Sequence, residues 1–338
     1  MTGINFPPNL VAYCRIRFRA TGESLTSPGR LNKIRAVKNR LETHVVSYNT
    51  RRSKVSCWTN RASALTWLFV LTLSWFGAFG AEVSIPKTGG WKAPPDAKPL
   101  LHAHAHNDYE HKRPLFDALD HGFCSVEADI YLVGNRLLVA HNKSDVKPER
   151  TLQALYLDPL RERVKRNGGR VYANGPECTL LVDIKSDWHA LYPVLRRTLT
   201  DYAEILTTFS ENEIHTNAIR VILSGNRALE MFNNQPIRYA ALDGTLDYLK
   251  SDKPAGLLPW ISSNWGQSFK WSGQGAISAE EKLKLKDIVQ QAHAKGRLVR
   301  FWGGPDQENF WREMIKDGVD LINTDDLSGL QKFFLVNQ

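Results

Sequence analysis

The sequence has only four cysteines in 338 residues, too few for a disulfide framework to stand in for a core. It has no methionine between Met1 and Met231, so no second Met start precedes most of the chain. Acidic residues are nearly missing from the first 81 positions, where Glu23 and Glu42 stand against 12 Lys and Arg, a charge of +10. The remaining residues hold 32 bases and 33 acids, a charge of −1. The overall +9 therefore belongs to the leader. A nucleic-acid partner, which such a charge would otherwise suggest, is not expected on the folded part. No internal repeat is present. Apolar residues make up 42% of the chain, with 14 Phe, 10 Trp and 10 Tyr, which excludes a disordered protein.

Residues 62–79 (ASALTWLFVLTLSWFGAF) are 18 uncharged positions preceded by Arg51, Arg52, Lys54 and Arg61. Ala78 and Gly80 put small residues at −3 and −1 for cleavage after Gly80. This is the layout of a secretory signal peptide over 54–80, and it predicts an exported protein. An uncleaved membrane anchor is the rival, because 18 apolar residues nearly span a bilayer. The basic stretch 1–53 is expected to be disordered, or to reflect a misplaced start with initiation near Val55. Residues 81–98, rich in Pro, Gly and Lys, read as a linker.

Residues 99–338 have the length of one TIM-type barrel. Eight strand-like runs recur, at 100–106, 125–131, 180–185, 219–224, 237–242, 257–262, 298–302 and 319–323. Helical patterns at 114–121, 188–202, 279–295 and 305–316 separate several of them, the last two ending near Gly296 and Gly318. Alternation of this kind predicts an α/β fold with a parallel sheet closed as a (β/α)8 barrel. Residues 136–141 follow the second strand too closely for a parallel crossover. Residues 130–141 are therefore expected to form a β-hairpin turning at Gly134-Asn135. The hairpin brings His141 back beside 127–129, but a one-residue slip would reverse its face.

Functional side chains of such barrels sit at the C-terminal strand ends. His102, His104 and His106 share a face of the first strand, Glu127 and Asp129 of the second, Asp183 and Lys185 of the third. Carboxylates inside a barrel are costly unless paired or metal-bound. Glu127, Asp129 and Asp183 offer hard oxygen donors, which suit Mg²⁺ or Ca²⁺. His106 and His141 form a candidate acid/base pair. Lys185 is a candidate phosphate contact, and Trp302 is either core or part of the pocket. His102 is expected near the barrel bottom, His121 and His293 at helix ends, His189 and His215 on the surface.

His-Asn-Asp-Tyr at 106–109, Ser-Val-Glu-Ala-Asp-Ile at 125–130, Val-Ala-His-Asn at 139–142 and Leu-Leu-Val-Asp-Ile-Lys at 180–185 form an ordered series. Arg-Phe-Trp at 300–302 and Gly-Val-Asp-Leu-Ile-Asn-Thr-Asp at 318–325 extend it. The series resembles the PLC-like phosphodiesterase superfamily, most of all its altered inheritance of mitochondria type proteins. The resemblance implies two catalytic histidines, His106 and His141. It implies one divalent cation, Mg²⁺ or Ca²⁺, on Glu127, Asp129, Asp183 and Asn107, with Lys185 on the phosphate. The implied substrate is a small-molecule or lipid phosphodiester, with a membrane involved only through the leader or as a substrate surface. Asn142 stands where an Asp commonly follows the second His, and the Arg-Gly that often follows the first His is absent.

Two rival readings are a metal-dependent amidohydrolase or PHP-type phosphoesterase, using His104-x-His106, and a barrel that binds phosphorylated lipid or sugar without turnover. Cys124 and Cys178 have outward parity on neighbouring strands. Counted from Glu127 and Asp183 their depths differ by two residues, about 6–7 Å, an offset that opposes a disulfide.

Overall fold

The computed structural model describes residues 97–211 and 213–336. The expected signal peptide, its expected cleavage site and most of the expected linker lie outside the described residues. Eight parallel strands close on themselves: β1 (Leu100–Ala105), β2 (Phe123–Val133), β3 (Cys178–Ile184), β4 (Ile219–Gly225), β5 (Ala241–Gly244), β6 (Trp260–Asn264), β7 (Leu298–Trp302) and β8 (Leu321–Thr324). β1 pairs with both β8 and β2, which completes the TIM-type barrel. The helices are α1 (Phe116–Asp120), α2 (Asp158–Arg166), α3 (Trp188–Thr200), α4 (Trp265–Ser268), α5 (Ala279–His293), α6 (Glu308–Lys316) and α7 (Leu327–Val336).

The expected hairpin forms. The strand Arg136–Val139 pairs antiparallel with β2, from Ile130–Val139 to Val133–Arg136, leaving Gly134 and Asn135 as the turn. Gly134 takes φ of 61°, the left-handed region such a turn requires.

Three strands start later than expected: β5 at Ala241, β6 at Trp260 and β8 at Leu321. Ile237 is exposed, and Arg238 bridges Phe209 outside the barrel. Pro259, which carries no amide hydrogen, immediately precedes β6. α1 starts at Phe116, because Leu115 turns with φ of 66°. α2, α7 and the small hairpin of Thr208–Phe209 with Ile214–His215 add to the elements expected from the sequence.

Alternation along the strands sorts side chains into two layers. Outward residues such as Val126, Leu180, Val182 and Val221 pack under the helices in the main core. Inward residues form a smaller plug of Leu181, Ile222, Trp260 and Leu321. One or two steps further along the same strands, the inward residues are polar: Asp183, Ser224, Ser262 and Asn323. The barrel is thus sealed by apolar packing below and polar at its C-terminal mouth.

The cysteine offset needs correction. Asp129, not Glu127, lies opposite Asp183, and Ser125 lies opposite Thr179. Cys124 and Cys178 are each one residue before that last pair, so they stand level. Both are buried free thiols. A hydrogen bond with Cys124, together with burial, pushes the Cys178 thiol well up.

Candidate active site

The site is built on the ends of β1, β2, β3 and β8. β1 ends at Ala105, and the His106 amide donates to Thr324 O at 3.0 Å, anchoring the histidine to the end of β8. Asn107 then turns the chain with φ of 47°, a conformation asparagine tolerates. The next residue staples this loop from below. Asp108 is fully buried, and its Oδ2 accepts from the Leu115 amide (2.6 Å) and the Tyr156 hydroxyl (2.8 Å). Burial pushes its carboxyl up to about 7.

His106 Nδ1 lies 2.8 Å from Asp325 Oδ1, just past β8. Burial would lower the imidazole's affinity for a proton, but the Asp325 hydrogen bond and the nearby Glu127 charge outweigh it and raise the pKa. Burial would likewise raise Asp325, but the bond from His106 holds it below the usual carboxylate range. Asp325 ends the last motif of the sequence series, where spacing alone assigns it no role. Its signal is topological: in a closed barrel the eighth strand lies beside the first.

Glu127, Asp129 and Asp183 bring carboxylate oxygens within 4.8 Å of one another. Burial and the Glu127 charge push Asp129 up to about 6. Lys185 Nζ sits 3.0 Å from both Asp129 Oδ2 and Asp183 Oδ1. Burial disfavours its charge, yet the two carboxylates raise its pKa. Two of its three protons are thus engaged by carboxylates, so phosphate contact rests on the third. Three carboxylates against one ammonium leave negative charge at a buried locus, which fits a hard divalent cation. Asn107 lies alongside: its amide reaches Glu127 Oε2 at 3.4 Å. Its Oδ1 lies 2.7 Å from the Tyr109 hydroxyl. Gly225, with φ of 70°, passes so close to Asp183 Oδ1 and Ile184 O that a Cβ would overlap both.

The hairpin settles the face of His141. The Ala140 amide donates to Asp129 O (3.2 Å), and the Tyr131 hydroxyl donates to His141 O (3.1 Å). His141 Nδ1 then lies 3.0 Å from Tyr109 OH and 3.6 Å from Asp129 Oδ2. Asn142 turns away and donates to Asp145 Oδ2 at 3.0 Å.

His104 is no ligand. It is fully buried, with Nδ1 on Ser125 Oγ (2.7 Å) and Nε2 on Arg300 (2.9 Å). Burial and the Arg300 charge lower its pKa well below the ordinary value, so it is neutral and both its nitrogens are committed. This removes the His-x-His ligand pair that the amidohydrolase reading needs. Arg300, buried and also bonded to Ser262 and Asn323, forms the floor of the site, a role its place on β7 does not announce in sequence. His102 is exposed at the barrel bottom, bonded to Asp320 O. His121 caps α1 through Asp117 O. His293 ends α5 and pairs with Asp320. His189 and His215 are exposed.

All eight candidate residues border one cleft of about 690 Å³. Its far wall carries Arg227, Asp243, Thr245, Ser262, Asn264 and Trp302. Trp302 is 38% exposed there, a wall of the pocket and not core.

Residues 95–243 match the AIM6-like phosphodiesterase domain, and residues 299–328 match the glycerophosphoryl diester phosphodiesterase family. "Altered inheritance of mitochondria protein 6" of Eremothecium gossypii is 31% identical, with 70% of each chain covered. The protein of that name in Saccharomyces cerevisiae is 32% identical, over 69% of this chain and 70% of its own. A homologue from Arthroderma benhamiae is 27% identical over 68% and 83%. Among solved structures, a glycerophosphodiester phosphodiesterase from Agrobacterium tumefaciens aligns with a TM-score of 0.43 and 15% identity, over 70% of this chain and all of that one. The chain belongs to the altered inheritance of mitochondria protein 6 family, whose domain is phosphodiesterase-like.

Proposed function

We propose that this protein is a metal-dependent phosphoric diester hydrolase acting on a glycerophosphodiester or phospholipid-type substrate. The observation that carries the reading is the convergence of three carboxylates, within 4.8 Å of one another, and two imidazoles on one barrel rim. Glu127, Asp129 and Asp183, with Asn107 beside them, would hold the cation. The chemistry it supplies there is neutralisation of charge on a phosphate oxygen. Oxygen donors favour Mg²⁺ or Ca²⁺ over zinc.

The two histidines divide the proton transfers. His106 carries a carboxylate on Nδ1, which strengthens it as a proton acceptor, so it takes the proton from the attacking hydroxyl. His141 carries no such close carboxylate bond and gives its proton to the leaving oxygen. Lys185 presents its remaining N–H to the phosphate. Trp302 and the polar far wall receive the leaving group.

Cleavage of bis(p-nitrophenyl) phosphate tests the reading. Turnover with added Mg²⁺ or Ca²⁺, lost with chelator, is expected. Binding of phosphodiesters without turnover under every metal would support the non-catalytic barrel instead. Turnover only with tightly held zinc would support the amidohydrolase-like rival. The leader supports export as the proposed localisation, and N-terminal sequencing of the expressed protein checks cleavage after Gly80.

A further inference from the structure

Tyr109 has no role in the proton transfers assigned to His106 and His141, yet its hydroxyl is at the centre of the site. It is 1% exposed. Its oxygen lies 2.6 Å from Asp129 Oδ2, 2.7 Å from Asn107 Oδ1 and 3.0 Å from His141 Nδ1. The Tyr109 and His141 rings run nearly parallel, 21° apart. A phenol has one proton to give and lone pairs to accept with.

We propose that Tyr109 is the positioning residue of His141, holding Nδ1–H on the phenolic oxygen so that Nε2 is the nitrogen that exchanges a proton with substrate. This deepens the phosphodiesterase reading and rests on it. The reason lies in the count of protons. The single phenolic proton goes to an oxygen that can only accept, Asp129 Oδ2 at 2.6 Å or Asn107 Oδ1 at 2.7 Å. The phenolic oxygen can then only accept from His141, which requires a proton on Nδ1 in both charge states of the ring. Among the described residues no other group holds Nδ1 in its place, because Asn142 is bonded to Asp145 and Asp129 Oδ2 lies at 3.6 Å. In the step itself the bond from phosphorus to the leaving oxygen breaks. His141 Nε2–H passes to that oxygen, Nε2 keeps the electron pair, and neutral His141 remains as the Nδ1–H tautomer. His106 holds the proton taken from the nucleophile.

The test compares the full chain with Tyr109→Phe, which deletes one oxygen and keeps the ring. The substrates are a series of methyl aryl phosphodiesters running from dinitrophenol to phenol as leaving group. The expected loss is in kcat. It grows along the series to about 10–100-fold for phenol, because general-acid help matters most for a poor leaving group. For dinitrophenol it stays within about threefold. In a His141→Ala background the same change adds nothing, since its effect runs through His141. An equal loss for every leaving group, or a shifted Mg²⁺ half-saturation with an unshifted leaving-group slope, would place the effect on Asp129 and overturn the proposal. An unchanged slope with full activity overturns it too. Nitrogen-15 NMR of the histidine rings reads the tautomer without turnover. His141 is expected as Nδ1–H in the native protein and as a mixture in Tyr109→Phe. If the native chain cleaves no phosphodiester, the functional reading fails, and the tautomer still decides the positioning claim.

Discussion

The two histidines of the site sit in different surroundings. His106 is on the barrel frame, its amide tied to β8 and its side chain 22% exposed beside a carboxylate. His141 rides on a hairpin that rises off β2, its side chain 54% exposed beside a phenol. The same residue type therefore has a different neighbour behind each ring. A carboxylate on Nδ1 stabilises imidazolium and makes Nε2 a better acceptor. A phenol at 3.0 Å stands behind the His141 ring, with the Asp129 carboxylate further off at 3.6 Å. The difference teaches that two histidines of one site can be held by different groups, and it supports the proposed division into base and acid.

The largest effects come from removing the rings. His106→Ala and His141→Ala should each lower kcat/KM on alkyl phosphodiesters by about 10²–10⁴-fold, with little change in Tm. On dinitrophenyl esters only His106→Ala should remain severe. Equal losses there would break the division of labour.

Asp325→Asn comes next. It keeps the shape and removes the charge behind His106, so kcat should fall by about 10²–10³-fold for every leaving group alike. A loss that depends on the leaving group would instead place Asp325 on the acid side.

The third expectation concerns the carboxylate cluster that lies beside the histidines. Asp129 is held near 6, above its ordinary 3.8. A raised carboxyl binds a proton in the folded state that the unfolded chain has released. The cation-free protein should therefore lose stability as pH rises from about 4 to about 6. Cation binding should weaken as pH falls through that window. Thermal shift against Mg²⁺ would show about 2.7 kcal/mol of stabilisation at a hundredfold excess over Kd near neutral pH, and less in acid. A shift that does not depend on pH would contradict the strained cluster.

The smallest effect is at the far wall. Trp302 is partly exposed and bonded to neither histidine, so Trp302→Ala should raise KM by less than about tenfold and leave Tm near its native value.

Much of this is legible in the chain itself. Alternation is a local property, so Glu127, Asp129, Asp183 and His104 fall on the inner face of their strands by parity alone. The Gly134-Asn135 turn forces the hairpin, because two residues cannot make a parallel crossover. The late starts of β5, β6 and β8 escape a sequence reading because apolar residues before a barrel strand look the same as residues within it. His104 shows the same limit. Its inward parity is readable, but its two partners, Ser125 and Arg300, come from other strands.

By itself, then, the sequence determined the fold class, the strand order, the inward set of acids and histidines, and the confinement of positive charge to the leader. These follow from period, composition and spacing, which act over a few residues. Only the tertiary structure decided that Asp325 stands behind His106, 219 positions away, because barrel closure lays β8 against β1. It also decided that Lys185 is engaged by two carboxylates, that Cys124 and Cys178 are level, and that Tyr109 stands behind His141. Register and closure are properties of paired strands, and no single strand carries them.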